Sequence, residues 1–334
     1  MTRKVCITAV EGNTGFLIAE LLLSNSDFKG KVDAVYGLSL HPSSAKAKEI
    51  AKLGAKVVPH KHGRERDVVD TLKQSGCDTL CLIPPTHQEK FDITVELINA
   101  ARKANVQNVL FISSAGSDLA ERDMQPRLRE FVDLETLVLS AKGDPKTQLG
   151  HSPAVIRAGF YAENLLLYAP QAQHDGMLPI PIGKDHKFAP VALGDVALLA
   201  AHVLSGKGKH GFDDRHRGQL MVCTGCTGPM LTTGDELATA ASQALGVQMQ
   251  FEDISEAEAK KVLHHQSQSD ASEKQYLLEY YSLVREGKTN YISTTAFVNV
   301  TGQSPQHPED FFKVYAAEFK PDHPNKRQKI ANGS

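Results

Sequence analysis

The chain has 334 residues, 41% of them hydrophobic and 23% charged, which is enough to bury a sizeable core and excludes global disorder. A formal net charge of −2 offers no broad basic surface to nucleic acid or to an anionic membrane, and the apolar runs are too short or too interrupted to span a bilayer or to serve as a secretion signal. Five cysteines at scattered spacings fit reduced thiols, and hence a cytoplasmic protein that also enters the nucleus if its tail permits, rather than a disulfide framework.

β-Branched apolar runs predict strands over 4–10, 32–38, 56–59, 78–83, 107–113 and 153–158. The stretches between them predict helices over 15–25, 43–53, 64–75, 88–104 and 126–141. This alternation makes the chain an α/β protein with a parallel sheet covered on both faces, doubly wound by right-handed crossovers. The second half changes character. Residues 159–194 are rich in Gly, Pro and aromatics, and Asp195 reads as the N-cap of a helix through Leu204. A strand is expected over 219–223. Thr232 or Thr233 then caps a helix to about Leu245, where Gly246 stops it. A strand over 247–251 and helices over 255–265, 272–287 and 308–319 follow, and the polar tail from Lys320 is expected to be disordered. No internal repeat is visible.

The most informative segment is Lys4–Leu23, in which an apolar strand runs through a Gly-containing turn straight into an apolar-striped helix. Such a turn presents a helix N-terminus to the pyrophosphate of a dinucleotide. Gly12 permits the tight turn, Gly15 lets a pyrophosphate approach the backbone, and Asn13, Thr14, Phe16 and Leu17 complete the cradle. The third position, where Gly or Ala lets the helix pack close to the strand, reads as Ile18 and implies a displaced helix or a looser phosphate site. The alternative is a plain βα turn without ligand.

The chain resembles the NmrA-like family of atypical short-chain dehydrogenases, which includes fungal nitrogen regulators, NADPH-sensing regulators, bacterial quinone oxidoreductases and, more distantly, isoflavone-reductase-like enzymes. The resemblance runs over about 4–319. It is carried by the Gly12–Gly15 turn, Pro84-Pro85-Thr86, the run Gln107–Ala115, the segment Ile156–Asn164, Pro190–Ala197, Leu231–Gly246, and Val300–Pro305 followed by Asp310-Phe311. It implies an NADP-binding Rossmann domain over 1–158 with parts of 190–225, and a smaller, mainly C-terminal α/β lobe over 159–189 and 226–319, before a tail at 320–334. Cofactor and substrate would share the cleft between them. Ile83, Pro84, Pro85, Ser113 and Ser114 stand at strand carboxyl ends, where ligands of such folds bind. Gly159, Phe160, Tyr161 and Asn164 would face the nicotinamide.

Several residues depart from the family pattern. Many relatives have Thr-Arg-Asn-Pro after the second strand, the Arg receiving the 2′-phosphate of NADP; here the segment is Ser39-Leu40-His41-Pro42, and no acid of an NAD site replaces the Arg. Ser39, His41, Ser43, Ser44 and Lys46 remain as phosphate donors, so NADP is expected by resemblance and NAD stays open. No Tyr has a Lys four residues on, so the Tyr-x-x-x-Lys acid of ordinary short-chain dehydrogenases is missing. The helix after the fifth strand, where isoflavone-reductase-like members carry a Lys, has none before Lys142, and its Glu135 reads as a surface acid. Tyr161 is the candidate proton donor, and Asn164 the residue that would orient a carbonyl or the nicotinamide amide.

Other signals are weaker. Cys223-Thr-Gly-Cys226 lacks the second pair of a zinc site, and His60-x-His62 and His264-His265 read as surface histidines, so no metal is expected. Lys326–Lys329 is a short basic cluster in the tail. Three functions compete: an NAD(P)H-dependent oxidoreductase for a small quinone, enone or aromatic substrate; a non-catalytic NAD(P)-sensing regulator with a protein partner; and a relative recruited to a non-redox isomerase or cyclase step.

Overall fold

In the first strand Val5 and Ile7 are buried on one face of a sheet and Cys6 on the other, the period-two pattern of a strand covered on both sides. The computed structural model describes residues 3–140, 152–225 and 231–321. These form, in chain order, β1 (Arg3–Thr8), α1 (Asn13–Ser24), α2 (Ser26–Lys29), β2 (Val32–Ser39), α3 (Ala45–Lys52), β3 (Lys56–Pro59), α4 (Glu65–Ser75), β4 (Thr79–Leu82), α5 (Lys90–Lys103), β5 (Asn108–Ser114), α6 (Pro126–Ser140) and β6 (Ser152–Ala158). A 3-10 segment (Ala162–Tyr168) leads to α7 (Ala169–Asp175), β7 (Met177–Ile180), α8 (Leu193–Ser205), β8 (Leu220–Cys223), α9 (Gly234–Leu245), β9 (Gln250–Asp253), α10 (Glu256–Gln266), α11 (Ala271–Arg285), α12 (Ala296–Thr301), α13 (Pro308–Val314) and α14 (Ala316–Phe319).

Seven parallel strands make one sheet in the order β3-β2-β1-β4-β5-β6-β8, and β7 pairs with β9 in a separate parallel pair. The chain winds from β1 outward to β3, returns to β4 and winds the other way, so the switch of direction lies between β1 and β4. Ligands of doubly wound folds bind at that switch, beyond the strand carboxyl ends. Thr8 fixes it: its hydroxyl accepts from Ile83 N at 2.7 Å and donates to Ile83 O at 2.9 Å. Val196, Leu199 and Leu204 of α8 and Phe297 of α12 share one core with Ile18 and Leu22 of α1, and a second core packs α4, α5 and α6 on the opposite face. A third core, aromatic-rich, joins β7, α9, α11, α13 and the 160–168 segment into the lobe.

Each strand and helix expected before residue 158 is present, with its ends within two residues. The second half departs further. Asp195 is not the N-cap of α8; Ala192 is, and the Asp195 carboxylate accepts instead from Gln306 N at 2.8 Å. The strand expected at 247–251 begins at Gln250, because Ser242 Oγ holds Met249 N at 2.8 Å and keeps 247–249 as the connection out of α9. Thr233 is the α9 cap, in a reciprocal capping box with Glu236, and Gly246 ends that helix at φ +68°. The helix expected over 308–319 breaks at Tyr315 into α13 and α14, and α7, β7 and α12 add to the expected elements. The tail from residue 322 onward, with its basic cluster, lies outside the described residues, as do Lys142 and Cys226.

Candidate functional site

The turn after β1 reveals which position of the motif is irregular. Ala9 takes φ +47°, a left-handed conformation that costs a residue with a Cβ about 1–2 kcal/mol and that Gly adopts freely. Gly12 and Gly15 follow at three-residue intervals. The spacing is therefore Ala9-x-x-Gly12-x-x-Gly15, and the departure is Ala9 at the first position rather than Ile18 at the third. Ile18 is a fully buried core residue outside the motif. A Cβ on Gly15 would lie 2.5 Å from Ala9 O and 2.9 Å from Val10 Cα, so Gly15 is what lets α1 pack close against the end of β1. Gly12 meets only Ala9 O, at 3.2 Å, and is otherwise open.

Gly12 is the N-cap of α1; no side chain caps it, and the first turn holds no acidic residue. The amides of Asn13, Thr14 and Gly15 are left for an external acceptor at the positive end of the helix dipole, which fits a pyrophosphate. Asn13 takes a hydrogen bond from Lys46 of α3 on its side-chain oxygen. Phe16 and Leu17 turn inward and pack on the α1–α8 core.

After β2 the arrangement is one that sequence reading missed. Glu11 Oε1 accepts from the backbone N–H of Leu40 at 2.8 Å and of His41 at 3.0 Å. Ser39 is buried and its hydroxyl accepts from His41 N at 3.1 Å, while Ser44 caps α3 through Ala47 N. His60, expected on the surface, is buried behind this turn; its imidazole and that of His62 each lie 3.8 Å from the Glu96 carboxylate. Burial lowers the His60 pKa. Among the described residues no group of three His, Cys, Asp or Glu is arranged to hold a metal ion.

At the other strand ends the two serines of β5 part company. Ser113 donates to Glu135 Oε1 at 2.5 Å, and Arg157 donates to both Glu135 oxygens at 2.8 and 2.7 Å. Glu135 is thus a buried anchor between α6 and the sheet, not a surface acid, and its chemistry is spent on that ion pair. Ser114 pairs at 2.8 Å with the hydroxyl of Tyr276, which arrives from α11, 162 residues away. Thr14 of the glycine turn donates to the hydroxyl of Tyr161 at 3.3 Å, which leaves the phenolic proton for a ligand. Burial raises the pKa of both tyrosines, so both stay protonated and act as donors rather than bases. Beside them, Lys90 of α5 donates to Arg127 O at 3.1 Å and lies 4.2 Å over the Phe131 ring, its pKa lowered by burial. It is a lysine that the fold brings to α6, where the sequence left the position empty, and no spacing could have revealed it.

Of the remaining candidates, Ile83 and Pro85 are buried and Pro84 half-buried at the β4 end. A Cβ on Gly159 would lie 3.1 Å from Cys223 O and 3.3 Å from Ala189 O. Phe160 is 2% exposed and packs on Phe188, Tyr280 and Tyr281 in the lobe core, so its side chain does not wall the cleft. Asn164 is half-buried one turn after Tyr161. The Cys223 thiol is fully buried and pushed up by burial, which suits neither a redox nor a metal role.

A doubly wound sheet with an uncapped helix N-terminus at its switch point defines a protein of the Rossmann fold class. The fold is that of the NmrA-like atypical short-chain dehydrogenases. No family model matches the chain. The chain is 24% identical over 314 residues to an NAD(P)H azoreductase of Xenophilus azovorans, covering 93% of this chain and 98% of that protein. It is 26% identical over 255 residues to quinone oxidoreductase 2 of Escherichia coli, covering 76% of this chain and 79% of the relative. The structure of that quinone oxidoreductase with NADPH superposes with a TM-score of 0.74 over 93% of this chain and 99% of the other. NmrA, a negative transcriptional regulator solved with NADP, superposes at 0.71 over 100% and 98% with 14% identity.

Proposed function

We propose that the chain is an NAD(P)H-dependent oxidoreductase that reduces a small quinone, enone or aromatic acceptor. The observation that carries this reading is the juxtaposition of the uncapped, acid-free α1 N-terminus with the Thr14–Tyr161 hydroxyl pair at one end of the sheet. The relatives named quinone oxidoreductase and azoreductase support it, as does NADPH or NADP in the related structures. The related structures hold NADPH or NADP, and the pyrophosphate site itself suits NAD and NADP alike.

When bound, the reduced nicotinamide supplies the hydride. The chain's own residues do the rest. The α1 amides hold the pyrophosphate, and Thr14 fixes the Tyr161 hydroxyl so that its proton faces a ligand. Tyr161 and Tyr276, kept protonated by burial, donate hydrogen bonds to an acceptor oxygen that gains negative charge. Neither is set up to abstract a proton. An electrophilic quinone needs only this modest help, which explains how the chain dispenses with a Tyr–Lys pair.

The alternative of a dinucleotide-sensing regulator is favoured by the likeness to NmrA. Among the described residues no helix is long and apolar enough to cross a membrane, and the reading places the protein in the cytoplasm with a small molecule in its cleft. The test is dinucleotide binding followed by turnover against a panel of quinones and enones. Turnover that falls about tenfold in Tyr161→Phe, with dinucleotide affinity unchanged, is the expected result. Tight binding with no turnover of any acceptor selects the regulator, and no binding below millimolar concentration defeats both.

A further inference from the structure

We propose that Glu11 makes this chain select the dinucleotide that lacks a 2′-phosphate, NADH over NADPH; this rests on the reading of the turn as a dinucleotide site. In a doubly wound fold the ribose 2′ position is read by the residues directly after β2. Here those residues are Leu40 and His41. Their two backbone N–H groups, the natural receptors for a phosphate oxygen at that turn, are both taken by Glu11 Oε1 at 2.8 and 3.0 Å.

The charges around the turn point the same way. A 2′-phosphate brings close to two negative charges and would meet a third on Glu11. Lys46 is the cation of this turn, and it stands at the start of α3 rather than on the two amides that Glu11 holds. Leu40 carries no charge. Lys46 keeps its charge but directs its ammonium to the Asn13 side chain, and Ser44 accepts from Ala47 N as the cap of α3. His60, packed behind the turn, is kept neutral by burial. His41 is exposed, as are Ser43 and Lys46. A carboxylate is an acceptor only, and Glu11 has acceptor capacity unspent: its Oε2 is buried with no donor on it. Ribose hydroxyls are donors. A ribose 2′-hydroxyl brings no charge for Glu11 to repel, whereas the 2′-phosphate of NADPH brings close to two. The acid that selects NAD is normally sought some twenty residues after the glycines. In this chain it comes from inside the glycine turn and reaches across to the same place.

The experiment is equilibrium binding of NADH and of NADPH, read by nicotinamide fluorescence, on the wild-type chain and on Glu11→Gln. Glutamine keeps one side-chain oxygen for the Leu40 and His41 amides but removes the charge. The wild type is expected to bind NADH about tenfold more tightly than NADPH. Glu11→Gln is expected to shrink that ratio several-fold, chiefly by tightening NADPH. A wild-type preference for NADPH, or a ratio unmoved by Glu11→Gln, overturns the inference while leaving the proposed function standing. Binding of neither dinucleotide to the wild type overturns both. A wild-type preference for NADPH overturns the inference even if the variant folds poorly, and Glu11→Ala, read in the same way, replaces Glu11→Gln in that case.

Discussion

Asp195 stands in the first turn of α8 with its carboxylate on Gln306 N, and burial raises its pKa from 3.8 to about 6. The folded protein therefore favours the protonated acid. Its stabilising contribution is complete below pH 3.8 and is lost as pH rises through about 6. Asp195→Asn keeps an oxygen for Gln306 and removes that dependence. The variant is expected to gain about 1–2 kcal/mol on the wild type between about pH 4 and about pH 7, measured by denaturant unfolding at both values. Equal pH profiles would show that the carboxylate is solvated in place. Single residues were unevenly legible in the sequence. Tyr161 is identifiable because it follows a strand that can be recognised. Glu11 was visible but lacked meaning until the β2 turn was seen to fold against it. Tyr276 and Lys90 carried no local signal, since only the packing of α11 and α5 on the β5 end brings them to Ser114 and Phe131.

Helix α1 shows how an element's placement depends on one missing Cβ. With Gly15 only 2.5 Å, at its would-be Cβ, from Ala9 O, Gly15→Ala forces α1 away from β1. The expected cost is about 1–3 kcal/mol of stability together with weakened dinucleotide binding, because the three free amides move with the helix. Gly12→Ala meets open space on most sides and is expected to weaken binding with far less loss of stability, as read by thermal unfolding beside dinucleotide titration. Similar effects of both changes on both measurements would contradict these separate roles. The strand–turn–helix unit was plain from its apolar pattern. Its register was not, because a Gly-by-Gly reading starts at Gly12, and only the positive φ of Ala9 shows that the motif begins three residues earlier. In the second half the Pro- and aromatic-rich stretch hid β7, whose partner β9 lies 73 residues on (from Met177 to Gln250), whereas β9 itself was expected and begins three residues later than its pattern suggested.

At the scale of the molecule, the sheet and the lobe meet through polar contacts that cross the cleft. Ser114 reaches Tyr276, Leu128 N donates to Glu279 at 2.9 Å, and Gln125 donates to Glu286 at 2.7 Å. Helix α11 is thus the lobe's main bridge to the sheet body, and a substrate beyond the β5 and β6 ends would lie against it. The doubly wound class followed from the regular β/α alternation of the first half, whereas the lobe, assembled from distant segments, was legible only through resemblance. What the whole arrangement does is decided most directly by a single-turnover experiment. The protein is mixed with NADH carrying deuterium or protium at the transferable position, and loss of the reduced-nicotinamide signal is followed after a small quinone is added. The account predicts protein-dependent loss that is slower with deuterium, since hydride leaves the nicotinamide in the cleft. A bound dinucleotide whose signal does not decay with any quinone would contradict it.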